Sequence, residues 1–162
     1  MKVAVVMGSD SDLEVTKGAL KVLEKFGVDY EVRVISAHRT PEIAFDFAQN
    51  AQKNGIEVII AVAGKAAHLA GVMAGISTLP VIGLPIKSST MDGLDSLLSV
   101  VQMPSGVPVA TVAINGADNA GLLAVQILSV KYDILKEKFH DYKKEMKESV
   151  IAKDKKVGGL DL

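Results

Sequence analysis

The stretch that decides the fold is KVAVVMGSDSDLEVTKGALKVLEKF, residues 2–26. Its first part, Lys2–Met7, is a short β-branched run that predicts a buried strand, and the following Gly8–Asp12 is rich in turn-forming residues. From Leu13 to Phe26 the apolar residues recur at helical spacing. The stretch therefore predicts one strand followed by one amphipathic helix.

The same strand-then-helix pattern continues along the chain, which is typical of βα units that build a parallel sheet. The further strands that we predict are Tyr30–Ile35, Val58–Val62, Val81–Leu84 and Val109–Ile114. The further helices that we predict are one that begins at Pro41, then Ala66–Gly75, Leu94–Val101, Asn119–Ser129 and Tyr132–Ile151. We expect one α/β domain over residues 1–162, doubly wound around five parallel strands, with a flexible tail over about 152–162.

The composition is that of one soluble globular domain. The chain has 162 residues, of which 49% are hydrophobic and 23% charged, enough to bury a core. A net charge of −1 argues against a nucleic-acid partner, because a basic excess is usual there. The absence of cysteine excludes disulfides and thiolate chemistry. No signal-peptide pattern or apolar run of about 20 residues occurs, so we expect a cytoplasmic protein without a membrane partner.

Polar residues after the strands are the candidates for a site, because ligands of doubly wound sheets bind beyond the carboxyl ends of the strands. Gly8–Asp12 follows the first strand and has two interpretations. Ser and Asp are preferred helix caps. Free N–H groups and hydroxyls at a helix start also bind phosphate, while a carboxylate accepts hydrogen bonds from ribose. Both interpretations stand at this point, although the absence of a G-x-G-x-x-G motif argues against a dinucleotide.

The second strand is followed by SAHRTP, residues 36–41, which contains one of three histidines and one of two arginines in the chain. Arg39 has the fork geometry that suits a phosphate. His38 carries the side chain that most readily exchanges a proton near neutral pH. Together they predict a phosphorylated substrate that undergoes proton transfer.

The third strand is followed by small residues that leave backbone N–H groups accessible around a small space. Within them, His68 is either a packing histidine in a helix or, as we favour, part of the site wall. Lys65 is more typical of a solvated or phosphate-facing lysine than of a Schiff-base lysine. His140 lies in the charged C-terminal helix, and we expect it at the surface.

Two later loops are further candidates for covering a ligand: Lys87–Gly93, which is polar, and Gln102–Pro108, which contains two prolines. We find no histidine–carboxylate spacing of a metal site and no arrangement typical of a Ser-His-Asp hydrolase. We therefore expect no metal.

Five blocks of sequence, taken together, resemble the N5-carboxyaminoimidazole ribonucleotide mutases of purine biosynthesis, the PurE family. The blocks are MGSDSD at 7–12, SAHRTP at 36–41, AAHL at 66–69, GLDSL at 93–97 and VQMPSGVP at 101–108. Their order and spacing make the resemblance specific, and it extends to about Val150.

The resemblance implies a flavodoxin-like three-layer α/β/α sandwich and an unusual isomerisation. A carboxylate moves from the exocyclic nitrogen of an aminoimidazole ribonucleotide to the neighbouring ring carbon, without metal, ATP or organic cofactor. His38 would be the general acid and base of this reaction. The resemblance also implies substrate binding by Ser9, Asp12 and Arg39, with Asp12 on the ribose hydroxyls and the other two at the phosphate. The remaining substrate-binding candidates are Ser11, Ser36, Gly64, Lys65, His68 and Leu69.

The chain departs from the family pattern at two positions. Most bacterial mutases have glycine and proline where this chain has Lys65 and Ala70. A lysine at this position either disfavours a positive φ or places a cation beside the carboxylate of the substrate. The runner-up function is that of the related class that carboxylates aminoimidazole ribonucleotide directly with carbon dioxide. Retention of the AAHL block, residues 66–69, favours the mutase.

Members of this family form homo-octamers, so the resemblance implies the same assembly here. We expect the apolar edge of the C-terminal helix to contact a neighbouring copy; this edge comprises Tyr132, Leu135, Phe139, Tyr142 and Met146. Two functions of other classes remain as alternatives: a flavodoxin-like module that binds a nucleotide or flavin without catalysis, and a scaffold that acts through the C-terminal helix.

Overall fold

The computed structural model describes residues 1–89 and 91–158. The strands are β1 Lys2–Met7, β2 Asp29–Val34, β3 Val58–Gly64, β4 Val81–Ile86 and β5 Ala110–Thr111. The helices are α1 Leu13–Phe26, α2 Pro41–Asn50, α3 Leu69–Ile76, α4 Leu94–Val101, α5 Ala117–Ser129 and α6 Asp133–Gly158. The bounds of β1, α1 and α4 coincide with those that the sequence predicts.

All five strands are parallel, in the order β2-β1-β3-β4-β5. This is the flavodoxin-like order, in which the chain winds first in one direction from β1 and then in the other. The direction changes between β1 and β3, which pair from Val3 opposite Val58 to Met7 opposite Val62. The loops after β1, β2 and β3 therefore open side by side at one edge of the sheet.

Helices cover both faces of the sheet and give the predicted three-layer α/β/α sandwich. Successive residues of β1 point to opposite faces: Val3, Val5 and Met7 belong to the core beneath α1 and α5, whereas Ala4 and Val6 belong to the core beneath α2 and α3. Because both faces are buried, the strand is a continuous apolar run instead of an alternating one.

The predicted boundaries of β4, β5 and α3 are wrong. We expected Pro85 to follow the fourth strand, but it lies inside β4, opposite Ala63. The fifth strand is only two residues long because it is at the sheet edge and soon leaves it, after Val112 N–H donates to the carbonyl of Gly83. Helix α3 begins at Leu69 instead of Ala66, because the backbone turns at Lys65, where φ is +56°. The smaller differences, at β2, β3 and the start of α5, are of one or two residues.

Most of the apolar edge of α6 packs on its own domain, and its expected contact with a neighbouring copy stays a prediction. Leu135 is fully buried, and the rings of Phe139 and Tyr142 each lie 5.8 Å from the ring of Phe26 at the end of α1. The ammonium of Lys138 also donates to the carbonyl of Phe26 at 2.8 Å. These contacts bring Leu135, Phe139 and Tyr142 into the core of the same chain, whereas Met146 is 45% exposed.

Helix α6 also extends further than we expected. It continues past Ile151 to Gly158, because Ala152 and the lysines that follow are good helix formers and the basic residues near its end complement the helix dipole. Residues 159–162 of the expected tail lie outside the described residues. In the part of the chain that the structure describes, no helix is both long and apolar enough to span a membrane.

Candidate active site

A pocket of about 610 Å³ lies at the carboxyl ends of the strands, beside the point where the winding direction changes. Its walls come from the loops that follow β1, β2, β3 and β4. All ten residues that the sequence analysis proposes for the site line this one pocket: Ser9, Ser11, Asp12, Ser36, His38, Arg39, Gly64, Lys65, His68 and Leu69. The topology thus brings together residues that lie far apart in the sequence.

In the loop after β1, Ser9 acts as a helix cap and Asp12 lines the pocket. Ser9 caps a short 3-10 turn over Asp10–Asp12, with its hydroxyl accepting from the N–H of Ser11 at 3.3 Å. Asp12 occupies the cap position of α1, yet its carboxylate makes no capping hydrogen bond. It instead accepts from the Ser11 hydroxyl at 3.3 Å and lines the pocket while only 8% exposed. The capping interpretation therefore accounts for Ser9 but not for the carboxylate of Asp12.

Burial has an electrostatic consequence for Asp12. Desolvation raises the pKa of its carboxyl above the ordinary value, and hydrogen bonds from the Ser11 side chain and the Ser9 backbone oppose the rise only in part. The nearby carboxylate of Asp10 adds to the rise. Because a buried acceptor without a cation is costly, this carboxylate is available to accept hydrogen bonds from a ligand.

The loop after β2 is folded around Ser36. Its backbone N–H donates to the hydroxyl of Thr40 at 3.1 Å, and its own hydroxyl accepts from the N–H and Nε of Arg39 at 3.2 and 3.3 Å. Arg39 also donates from Nη2 to the carbonyl of Gly8 at 3.0 Å, which joins this loop to the one after β1. A guanidinium carries five N–H donors, so Arg39 keeps donors for an anion while its plane is held in place.

Two histidines meet inside the pocket. Nε2 of His38 lies 2.8 Å from Nδ1 of His68, and the two rings are nearly perpendicular, with an interplanar angle of 80° and centroids 4.9 Å apart. His68 is not inside a helix, as one interpretation had it, but stands at the cap position of α3 and makes no side-chain capping bond. His68 lines the pocket, and its role in a site stays a prediction.

The loop after β3 contains Lys65 in the left-handed backbone region, with φ of +56°. Lysine therefore adopts the positive φ that we expected it to disfavour. Its side chain is exposed and lines the pocket, and no described residue forms a hydrogen bond or ion pair with it. Residues other than glycine are strained in this backbone region, and strain of this kind clusters at functional sites.

The pocket also contains residues that the sequence analysis did not single out. Lys87 and Ser88 follow β4 and line the pocket; we had only named their loop as a possible cover. The N–H of Lys87 donates to Oδ1 of Asn115 at 2.8 Å, and the hydroxyl of Ser88 donates to Asp95 at 3.2 Å. Their position after a strand was the signal that could have identified them.

Two other predictions concern residues outside the pocket. The turn Gln102–Pro108 does not line it: the side chain of Met103 lies against Gly71 in α3, so this turn packs on the scaffold. His140 is exposed on α6, as predicted. Within residues 1–89 and 91–158, no group of three or more histidine, aspartate or glutamate side chains is arranged to hold a metal ion.

Residues 2–149, nearly the whole chain, match the protein family described as AIR carboxylase. The chain belongs to this family. The five blocks that suggested the PurE family from the sequence all fall within the matched range.

The relatives of this chain are named either as mutases or as carboxylases. The N5-carboxyaminoimidazole ribonucleotide mutases of Thermotoga maritima and Pyrococcus horikoshii are 58% identical over 156 residues and 60% identical over 155; each match covers 96% of this chain and 91% and 88% of the relative. The chloroplastic phosphoribosylaminoimidazole carboxylase of Vigna aconitifolia is 56% identical over 152 residues, or 94% of this chain, but only 27% of that longer protein is covered.

A solved structure supports the fold over nearly the whole chain. The crystal structure of Treponema denticola PurE superposes with a TM-score of 0.88 at 29% identity, covering 96% of this chain and 97% of that one. The PurE-like fold that the sequence predicted is confirmed.

Proposed function

We infer that the chain is an N5-carboxyaminoimidazole ribonucleotide mutase, an isomerase of de novo purine biosynthesis. Four relatives with that name are about as long as this chain and 57–63% identical to it. The finer assignments that follow, of residues to steps and of the assembly, are our proposals.

The observation that carries the proposal is the convergence of His38 and Arg39 with Asp12 on one pocket. A ribonucleotide offers a phosphate, two ribose hydroxyls and a reacting base, and each finds a chemical counterpart among these residues. Arg39 supplies a planar cation for the phosphate, Asp12 supplies an acceptor for hydroxyls, and His38 supplies a proton carrier.

His38 carries one proton through the reaction in two steps. First it gives a proton to the exocyclic nitrogen while the bond from that nitrogen to the carboxylate breaks, which releases carbon dioxide and the free amine. The neighbouring ring carbon then attacks carbon dioxide, and His38 takes the proton from that carbon so that the ring regains its aromaticity. The proton returns to His38, so no metal, oxidant or second acid is required.

The other pocket residues hold the substrate and the released carbon dioxide. Ser9, Ser11 and Ser36 line the same pocket as Arg39 and add hydroxyls that suit the phosphate end. The end of β3, the loop that follows and the start of α3 form another wall, with Gly64, Lys65, His68 and Leu69. Its small side chains leave room for carbon dioxide close to the ring, and the Lys65 ammonium faces an anionic carboxylate favourably.

Direct carboxylation of aminoimidazole ribonucleotide is a second candidate because relatives from Vigna aconitifolia and Candida glabrata, 56% and 53% identical, are named phosphoribosylaminoimidazole carboxylases. Those proteins are much longer than this chain, which covers 27% and 28% of them. The match to mutases of similar length therefore favours the first candidate.

We further propose that the enzyme is a cytoplasmic homo-octamer that needs no cofactor. Exposed apolar side chains recur at i, i+4 and i+7 on α4, at Leu94, Leu98 and Val101, each between 42% and 46% exposed. Such a stripe on a helix is typical of a surface that a second copy covers. Light scattering of the purified protein measures the assembly directly.

The experiment that tests the function compares two substrates with matched variants. Purified enzyme receives either N5-carboxyaminoimidazole ribonucleotide or aminoimidazole ribonucleotide with bicarbonate, and formation of the carboxylated imidazole is followed. The variants are His38→Asn and, as a control, His140→Asn, which removes an exposed imidazole from α6. We expect fast turnover of the first substrate, lost in His38→Asn and kept in His140→Asn. Preference for the second substrate would make the enzyme a direct carboxylase, and turnover of neither would refute the proposal.

A further inference from the structure

The direct contact between two imidazoles in the pocket goes beyond what a lone general acid and base requires. His38 and His68 lie thirty residues apart in sequence, on the loops after β2 and β3, yet their ring nitrogens are 2.8 Å apart. That distance is a hydrogen bond, so one of the two nitrogens carries a proton and the other accepts it. The contact therefore couples the tautomers of the two rings.

No other described group in the pocket forms a hydrogen bond with either imidazole. The titratable and charged side chains that share the pocket with the pair are Asp12, Arg39, Lys65 and Lys87. Asp12 is bonded to Ser11, Arg39 to Gly8 and Ser36, and Lys87 to Asp92 at 2.9 Å. Among the described residues, Nδ1 of His38 and Nε2 of His68 have no hydrogen-bond partner, so the shared bond is the one hydrogen bond that these two rings make there.

We propose that His68 is a positioning residue that fixes the tautomer of His38, so that proton exchange with the substrate takes place at Nδ1 of His38. This inference rests on the proposed function of the site. In the neutral pair, Nε2–H of His38 donates to Nδ1 of His68, which leaves a lone pair at Nδ1 of His38 and the single N–H proton of His68 at its Nε2.

The proton count closes over the cycle. The enzyme begins with one extra proton on the pair, held at Nδ1 of His38, while the bond between the rings stays in place. Transfer of that proton to the substrate nitrogen leaves the neutral pair, and the later transfer from the ring carbon restores the charged one. In the charged state the hydrogen bond becomes charge-assisted, so His68 spreads the positive charge over both rings and holds the first ring against rotation.

Three variants separate this role from a merely structural one. His68→Phe keeps a flat ring but removes the acceptor, His68→Gln keeps a polar group able to accept from His38, and His140→Phe is the matched control on the exposed face of α6. We expect His68→Phe to lower kcat by about 10-fold to 100-fold, the range for a misplaced catalytic group, with KM changed by less than about threefold. His68→Gln should recover part of kcat, and His140→Phe should match the wild type.

Nitrogen NMR of the free enzyme with labelled histidine provides a readout that does not depend on turnover. At alkaline pH, neutral His38 should be entirely the Nε2–H tautomer in the wild type and a mixture of both tautomers in His68→Phe. The pH profile of kcat should also change shape in His68→Phe. An Nδ1–H tautomer in the wild type, or an unchanged tautomer in His68→Phe, would overturn the proposal.

The two kinds of failure are distinguishable. If the wild type did not turn over the mutase substrate, the proposed function would fail, while the NMR experiment would still report on the pair. If the wild type were active and His68→Phe lost kcat without change in tautomer or pH profile, the function would stand and the positioning role of His68 would fail.

Discussion

Replacing Lys65 with glycine is predicted to stabilise the fold and weaken the binding of substrate. Lys65 adopts φ of +56°, a region that costs an L-residue about 1–2 kcal/mol and costs glycine little. Glycine loses about 0.5–1 kcal/mol of this advantage because its unfolded chain is more flexible. The free energy of unfolding should therefore rise by about 0.5–1 kcal/mol, which corresponds to about 1–4 °C in Tm for a chain of this size.

The variant Lys65→Ala separates backbone strain from charge. Alanine retains the Cβ atom and hence the strain, while both variants lack the ammonium. We expect Lys65→Ala to unfold close to the wild type and Lys65→Gly to unfold at higher temperature. Both should raise KM for the carboxylated substrate by about two- to fivefold, because an exposed ion pair contributes about 0.5–1 kcal/mol.

Thermal unfolding by circular dichroism, at one fixed protein concentration, and initial-rate kinetics provide the two measurements. A Tm for Lys65→Gly equal to or below that of Lys65→Ala would refute the reasoning about strain. An unchanged KM in both variants would show that the ammonium of Lys65 does not contact the substrate.

Three further predictions concern buried charge, a surface network and the core. Asp12→Asn should raise Tm at pH 7, because burial raises the pKa of this carboxyl and its charged form therefore destabilises the fold; that destabilisation is lost as pH falls through the raised pKa of the folded state. A Tm for Asp12→Asn at or below the wild-type Tm at pH 7 would contradict this. Burial raises the pKa of Glu57, but hydrogen bonds from Lys131 and Tyr132 outweigh it, so the pKa lies below its ordinary value. The charged Glu57 stabilises the fold at pH values above the pKa of the unfolded chain, and this stabilisation is lost as pH falls through the lower pKa of the folded state. Glu57→Gln should therefore lower Tm at neutral pH but not in strong acid. An equal Tm for the variant and the wild type at pH 7 would count against this. Gly83→Ala places a Cβ 2.2 Å from Cγ1 of Val100. The free energy of unfolding measured in urea should therefore fall by about 1–3 kcal/mol. An unchanged free energy would show that the core rearranges to accommodate the added methyl group.

The sequence predicts the elements of this fold well where each boundary changes both polarity and residue type. Lys2–Met7 and Leu13–Phe26 are of this kind, because apolar runs end at a cluster of Gly, Ser and Asp and at Gly27, whose φ is +72°. Prediction from the sequence fails where pairing with a neighbouring strand determines the boundary. Pro85 continues β4 although proline normally interrupts a ladder, and the edge strand β5 keeps only two residues.

Which residues line the pocket was predictable from the sequence, but their arrangement was not. Position after a strand was enough to single out His38, Arg39 and the residues of the neighbouring loops. The contact between His38 and His68 depends on the strand order, since β1 lies between β2 and β3 and the loops of the outer pair meet over its end. No local pattern contains that order. The same holds for Asp12, whose carboxylate was predicted equally well as a cap until the geometry showed it bonded elsewhere.

The central claim is that the carboxylate moves from nitrogen to carbon without leaving the pocket, and an isotope experiment tests it most directly. The enzyme is given N5-carboxyaminoimidazole ribonucleotide labelled with ¹³C in its carboxylate, in buffer that contains unlabelled bicarbonate in excess. Mass spectrometry of the product after partial conversion then reports the origin of its carboxylate. The account predicts that the product retains the label. A product whose carboxylate comes from the unlabelled bicarbonate would contradict it and identify the enzyme as a carboxylase that takes carbon dioxide from solution.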